Sequence, residues 1–250
     1  MKASPLPGLL LAAVLLSAGG AWASAQAQDV IVLKSGVSRE GKVTGVSNGN
    51  VRLQTAAGGT GTPLAEISEV RMEAPPEFDA AASQLAAGDA KGAVTALQKL
   101  NDTYAGLPAP WAQRAAAMLG DARLAAGDSA GAKLAYDQFS RTYPQATTLA
   151  NLGMARLAVD EGDYDKAEDL LKPVLEASAK TAFPLPSDGP ALSQGHYLMG
   201  RVREAAGDLP GALRHYLEAS AVFPFDRNAA ATAQSRADAL RAEHAGLIAP

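Results

Sequence analysis

LGDARLAAGDSAGAKLAYDQFSRTYP, residues 119–144, decides the reading of this chain. Gly127-Asp128 stands between two Ala/Leu-rich runs, and each run places its apolar residues at helical spacing. The same dipeptide returns at Gly88-Asp89, Gly162-Asp163 and Gly207-Asp208, at spacings of 39, 35 and 45 residues. Five residues after each glycine comes an alanine: Ala93, Ala132, Ala167 and Ala212. Then come Leu97, Tyr136, Leu171 and Tyr216, followed by Leu100, Phe139, Val174 and Ala219. Seven residues before each glycine the residue is always small: Ala81, Gly120, Ala155 and Gly200. A repeat of this length with these offsets predicts antiparallel helical hairpins. The larger residues should fill the core, and each small residue of the first helix should meet the small alanine of the second. Pro144 and Pro224 should close two of the second helices, and Pro173 should kink or shorten another.

The units Leu119-Gly120…Gly127-Asp128…Ala132…Tyr136…Pro144 and Met199-Gly200…Gly207-Asp208…Ala212…Tyr216…Ala219…Pro224 resemble the tetratricopeptide repeat. The resemblance implies a mainly α fold: a tetratricopeptide-like α-solenoid of about four helical hairpins plus a capping helix, over residues 78–245. Asn228 is positioned to cap that last helix. An irregular helical bundle is the rival architecture. The longer spacings trace to extra residues at 105–110 and 180–190, which should emerge as loops. Phe183 and Leu185 in the second loop should cover an apolar seam or contact a partner.

Residues 28–73 have another texture. Short β-branched runs separated by Ser35-Gly36, Asn48-Gly49 and Gly58-Gly59 predict five short strands, with Asn-Gly as a hairpin signal. Ile31, Leu33, Gly36, Gly41, Val43, Val51, Leu53, Pro63, Leu64, Ile67 and Val70 give this small all-β unit a resemblance to SH3-like or Sm-like barrels. Ala74-Pro75-Pro76-Glu77 reads as the linker, residues 74–77, because proline lacks the N–H for ladder or helix bonds. Gly45-Val46-Ser47-Asn48-Gly49 fits the nucleophile-elbow pattern, but that elbow needs a helix after it and a β run follows. Gly58, Gly59 and Gly61 likewise lack the Lys-Ser/Thr of a phosphate loop.

Residues 1–27 read as a signal peptide: Lys2, the apolar run Leu9–Leu16, then small residues with Ala-x-Ala spacing. The expected location is therefore outside the inner membrane, in the periplasm. No second long apolar run follows, so stable membrane insertion after signal removal is not expected. There is no cysteine, which excludes disulfides, thiol nucleophiles and Cys-ligated metals. Without Lys2 the chain carries 21 basic and 26 acidic residues, and no Lys/Arg cluster marks it for nucleic acid.

In tetratricopeptide arrays the first helix of each pair lines a concave groove. The resemblance places Phe78, Ala82 and Leu85, then Arg114, Ala117 and Asp121, then Leu149, Leu152 and Arg156, and finally Gln194, Tyr197 and Arg201 along it. Arg114, Arg156 and Arg201 could hold carboxylates by paired hydrogen bonds, with Tyr197 as an anchor. The partner so implied is a protein or peptide of the bacterial cell envelope; no cofactor and no oligomeric state is implied. His196 and His215 lie on the two helices of one unit, but no Asp or Glu is expected in register to complete a metal set. Three functions stay open: a non-catalytic adaptor, a glycan- or cell-wall-binding protein acting through the β unit, and an enzyme, for which no convergent site is visible.

Overall fold

The computed structural model describes residues 28–179 and 189–246. The segment read as a signal peptide and the loop bearing Phe183 and Leu185 lie outside these residues. Strands β1 (Asp29–Leu33), β2 (Ser38–Ser47), β3 (Asn50–Thr55), β4 (Gly58–Pro63) and β5 (Ile67–Arg71) form one antiparallel sheet in the order β4-β3-β2-β1-β5. A 3-10 turn at Leu64–Glu66 carries the chain from one edge strand to the other. Asn48 and Gly49, at φ 51 and 72°, make the left-handed two-residue turn between β2 and β3, with Ser47 paired to Asn50. Ser47 is therefore a hairpin residue, as its context predicts.

Alternation along the strands buries Ile31, Val43, Val51, Leu53, Ile67 and Val70 on one face. That face joins Phe78, Leu97, Leu100, Leu107 and Trp111 in a single core. Gly45 sits at the junction: at φ 137° and beside a β2 bulge, an added Cβ would lie 2.7 Å from the Thr103 carbonyl oxygen. The Val70 N–H also donates to the Pro108 carbonyl at 3.2 Å.

The helices are α1 (Pro76–Ala86), α2 (Ala90–Tyr104), α3 (Pro110–Ala125), α4 (Ser129–Thr142), α5 (Thr147–Glu161), α6 (Tyr164–Ala179), α7 (Gly189–Ala205), α8 (Leu209–Leu217) and α9 (Arg227–Glu243), with a π-turn at Glu218–Val222 after α8. They pair as α1/α2, α3/α4, α5/α6 and α7/α8, and α3, α5, α7 and α9 pack successively on one another. Pro76, read as linker, instead opens α1, where its missing N–H costs nothing.

The Gly-Asp pairs are the hinges of these hairpins. Gly88, Gly127, Gly162 and Gly207 all adopt φ between 77 and 84°, the left-handed end of the first helix. Asp89, Asp128 and Asp208 then cap the second helix by accepting from the backbone N–H of Gly92, Gly131 and Gly211. The four alanines five residues on are fully buried, as are Leu97, Tyr136, Leu171 and Tyr216.

One local expectation gains a partner and two are corrected. Gly120 and Gly200 lie against the rings of Tyr136 and Tyr216, so a tyrosine of the second helix fills the space a Cβ would take. Helix α6 runs six residues past Pro173, so the proline does not shorten it. The cap of α9 is Asp226, whose carboxylate accepts from the Ala229 N–H, not Asn228, which lies inside the helix.

Candidate functional site

The polar residues of the first helices are bound to one another. Asp121 of α3 accepts from the Tyr136 hydroxyl and pairs closely with Arg156 of α5. Arg156 also donates to Gln194 of α7 at 2.9 Å, and Gln194 donates to Asp226 at 2.6 Å. This chain of bonds runs from the second hairpin to the capping helix. Burial opposes the charge on Arg156, but Asp121 and Tyr136 beside it outweigh this and raise its pKa further. Burial first, and the Asp121 carboxylate second, push the Tyr136 hydroxyl well above the ordinary tyrosine range.

The other expected groove residues divide by burial. Phe78 and Leu152 are only 5 and 2% exposed and belong to the core, so neither presents a surface to a ligand. Phe78 is covered within the core that the sheet's buried face shares with the first helices, and its ring meets Trp111 at 6.3 Å between centroids. Leu85 is half-buried against the same core. Arg114 is exposed and rests its guanidinium 5.7 Å from the Phe78 ring centroid. Asp121 and Arg156 are internal struts.

Tyr197 and Arg201 alone among these residues border an open depression, of about 380 Å³, with Tyr164, Glu204, Tyr216 and Arg236. Arg201 pairs with Asp160 at 3.0 Å, and both side chains are about two-fifths exposed. On its far wall Glu204 receives the Tyr216 hydroxyl at 2.7 Å and is clamped by Arg236 of α9. The hydrogen bonds from Arg236 are the main reason its carboxyl is held below the usual range, against the opposing effect of burial.

A second depression, of about 490 Å³, lies on the outer face of β2, β3 and β4, lined by Thr44, Asn48, Asn50, Arg52, Gln54 and Thr60 among others. Its lining is rich in side-chain amides and hydroxyls.

The histidines overturn one expectation outright. His196 and His215 bring their Nδ1 atoms to 3.1 Å, and Glu218 Oε2 lies 2.8 and 3.0 Å from them. An acidic residue is therefore in register. His215 and Glu218 share a face at i and i+3, a signal present in the sequence. Burial pushes the Glu218 carboxyl up, but the two imidazoles outweigh it and hold it well below the usual carboxylate range. Among the described residues no helix is long and apolar enough to cross a membrane.

Sequential helical hairpins, hinged by Gly-Asp and joined through their first helices, define a helical-repeat protein. Residues 67–184 match the family model of a tetratricopeptide repeat-like domain, which supports a tetratricopeptide-type family for this stretch. The match takes in β5 and the first three hairpins and ends before α7. No curated protein and no solved structure matches the chain. Domains similar to this one serve in general as protein-binding modules and are typically non-catalytic.

Proposed function

We propose that the chain is a non-catalytic adaptor of the bacterial cell envelope, working in the periplasm, whose helical array binds a peptide or protein segment at the Tyr197–Arg201 depression. The observation that carries this reading is the depression itself: it offers the half-exposed Tyr164 and Tyr197 beside an arginine whose existing partner is exposed. An exposed pair such as Arg201–Asp160 is worth about 0–1 kcal/mol, so a ligand carboxylate can take the place of Asp160 at little expense. The amphipathic tyrosines suit an apolar neighbour of that carboxylate. The periplasmic setting rests on Lys2, the Leu9–Leu16 run and the Ala-x-Ala spacing. The reading also takes the hairpins as a tetratricopeptide solenoid and the β unit as an SH3- or Sm-like barrel, supported by the meander and the 3-10 turn before β5.

The test is crosslinked capture from envelope extract with the parent chain and with Tyr197→Ala/Arg201→Glu. Circular dichroism should show the parent's helix content with a lowered melting midpoint, because Tyr197 packs against two core clusters and Arg201 faces Asp160, so capture is compared well below the variant's midpoint. A protein held by the parent and lost by the variant supports the site. Equal retention by both places binding elsewhere.

The amide- and hydroxyl-lined depression on the β sheet favours a second reading, glycan or cell-wall binding, because such groups hydrogen-bond sugars. Retention of the whole chain on isolated wall, lost on Asn50→Ala/Arg52→Ala, is its signature.

A further inference from the structure

The fourth hairpin holds a polar triangle that the other hairpins build without. Counted from the Gly-Asp glycine, His196, His215 and Glu218 correspond in the second hairpin to Ala116, Ala135 and Gln138. Ala116 and Ala135 are buried there, so the hairpin seam closes with small apolar residues at both positions. The third hairpin has Asn151, Leu170 and Pro173, and the first has Glu77, Ala96 and Lys99. Packing therefore does not require two histidines and a carboxylate at this seam. Burying them carries a desolvation penalty that needs a compensating interaction.

Hydrogen bonding within the triangle supplies it only in part. Each Nδ1 has one in-plane direction for a proton or a lone pair, so three edges of 2.8, 3.0 and 3.1 Å cannot all be hydrogen bonds. Glu218 Oε2 has no well-aligned hydrogen bond, and His196 Nε2, on the other side of a ring only 6% exposed, has no partner. The two Nδ1 atoms and Glu218 Oε2 thus converge on one another. Phe223 stacks on His196 at 5.1 Å with a 5° interplanar angle and closes one side. The turn that aims Glu218 is π-helical, with the Phe223 N–H donating to the Glu218 carbonyl at 2.8 Å; such turns concentrate at functional sites.

We propose that His196 Nδ1, His215 Nδ1 and Glu218 Oε2 form a binding site for a borderline divalent transition-metal ion, with Zn²⁺ the first candidate, clamping α7 to the end of α8. First-row ions bind imidazole nitrogen and carboxylate oxygen at about 2.0–2.2 Å, which separates donor atoms by about 2.8–3.1 Å in facial octahedral geometry and by about 3.3–3.6 Å in tetrahedral geometry. The observed edges of 2.8, 3.0 and 3.1 Å match the octahedral spacing and would open by a few tenths of an ångström for a tetrahedral ion. Two nitrogens exclude the oxygen-preferring Ca²⁺ and Mg²⁺. Three protein donors leave a coordination position for water.

The chain, purified without an affinity tag and stripped with chelator, is titrated with Zn²⁺ by calorimetry and with Co²⁺ by visible absorption. One ion per chain is expected, with a Zn²⁺-dependent rise in the melting midpoint. Loss of a partner behind a ligand typically weakens binding about 10–100-fold, so His215→Ala and Glu218→Gln should each weaken it at least about 100-fold. Both introduce the residue that the second hairpin uses at the same place, and Glu218→Gln keeps the side-chain shape, so a folded variant is in hand. His244→Ala, at an exposed position, should bind as the parent does. Absence of saturable binding in the parent up to about 1 mM Zn²⁺, far weaker than the usual range of three-ligand sites, overturns the proposal. So does binding that persists in both His215→Ala and Glu218→Gln.

Discussion

A methyl group added at Gly120 would fall inside van der Waals contact of the Tyr136 ring, and one at Gly153 would strike the same ring from α5. Tyr136 is fully buried and tied by its hydroxyl to Asp121, so it has no room to yield. Alanine gains about 1 kcal/mol over glycine in helix propensity, but overpacking a rigid core costs about 1–3 kcal/mol. Gly120→Ala should therefore be net destabilising, by about 1 kcal/mol, in urea unfolding. The chain contains its own control: where the first helix has alanine, Ala81 or Ala155, the second has leucine, Leu97 or Leu171. Adding Tyr136→Leu should thus recover part of the loss due to Gly120→Ala, so the two changes should be less than additive in a double-mutant cycle. Strict additivity would mean that the ring is not what excludes the methyl group.

Between elements, the bonds from Tyr136 through Asp121, Arg156 and Gln194 to Asp226 act as a strut across successive hairpins. Arg156 and Asp121 are each about a quarter exposed, between the limits of surface pairs and fully buried ones. Arg156→Ala should destabilise by about 2 kcal/mol. Since repeats contact only their neighbours, amide exchange should quicken in α5 and α7 and stay unchanged in β1 and α1. This strut also shows what was legible in the sequence. The Gly-Asp hinges were, because a left-handed glycine followed by an N-cap aspartate is local chemistry. The groove was not, because helical spacing tells which residues share a face but not that Arg156 and Asp121, 35 positions apart, saturate each other. Phe78 was misplaced because the core it shares with the sheet is non-local. Glu218 is only half legible: its i, i+3 spacing to His215 is local, but its meeting with His196 crosses the hairpin. A second tie joins α7, α8 and α9 through Glu204, whose folded pKa is lowered. A lowered carboxylate pKa gives stability that is present above the unfolded value of about 4.3 and lost as pH falls through the folded one. Glu204→Gln should therefore flatten the fall in the urea midpoint below about pH 4.5 and lower the midpoint at pH 7; an unchanged acid slope would refute the tie.

At the scale of the molecule, the unit that folds together differs from the change in sequence texture near residues 74–77. The apolar face of the sheet is completed by Phe78, Leu97, Leu100 and Trp111, and Gly45 lets β2 touch the α2 backbone. Residues 28–73 on their own would expose that face, and a chain so short buries too little surface to offset its conformational entropy. This fragment should show no cooperative thermal transition and no protected amides, whereas residues 28–126, which add α1–α3, should recover sheet and helix signals by circular dichroism. Hairpins three and four and α9 bury separate clusters around Leu171 and Tyr216. Removing α9 should therefore loosen α7 and α8 first, leaving exchange in the sheet at parent rates. Protected amides in the 28–73 fragment would make the β unit autonomous, and its sugar-binding capacity could then be measured in isolation. Without them, any test of the β surface belongs in the whole chain, because its shape is set by the helices beneath it.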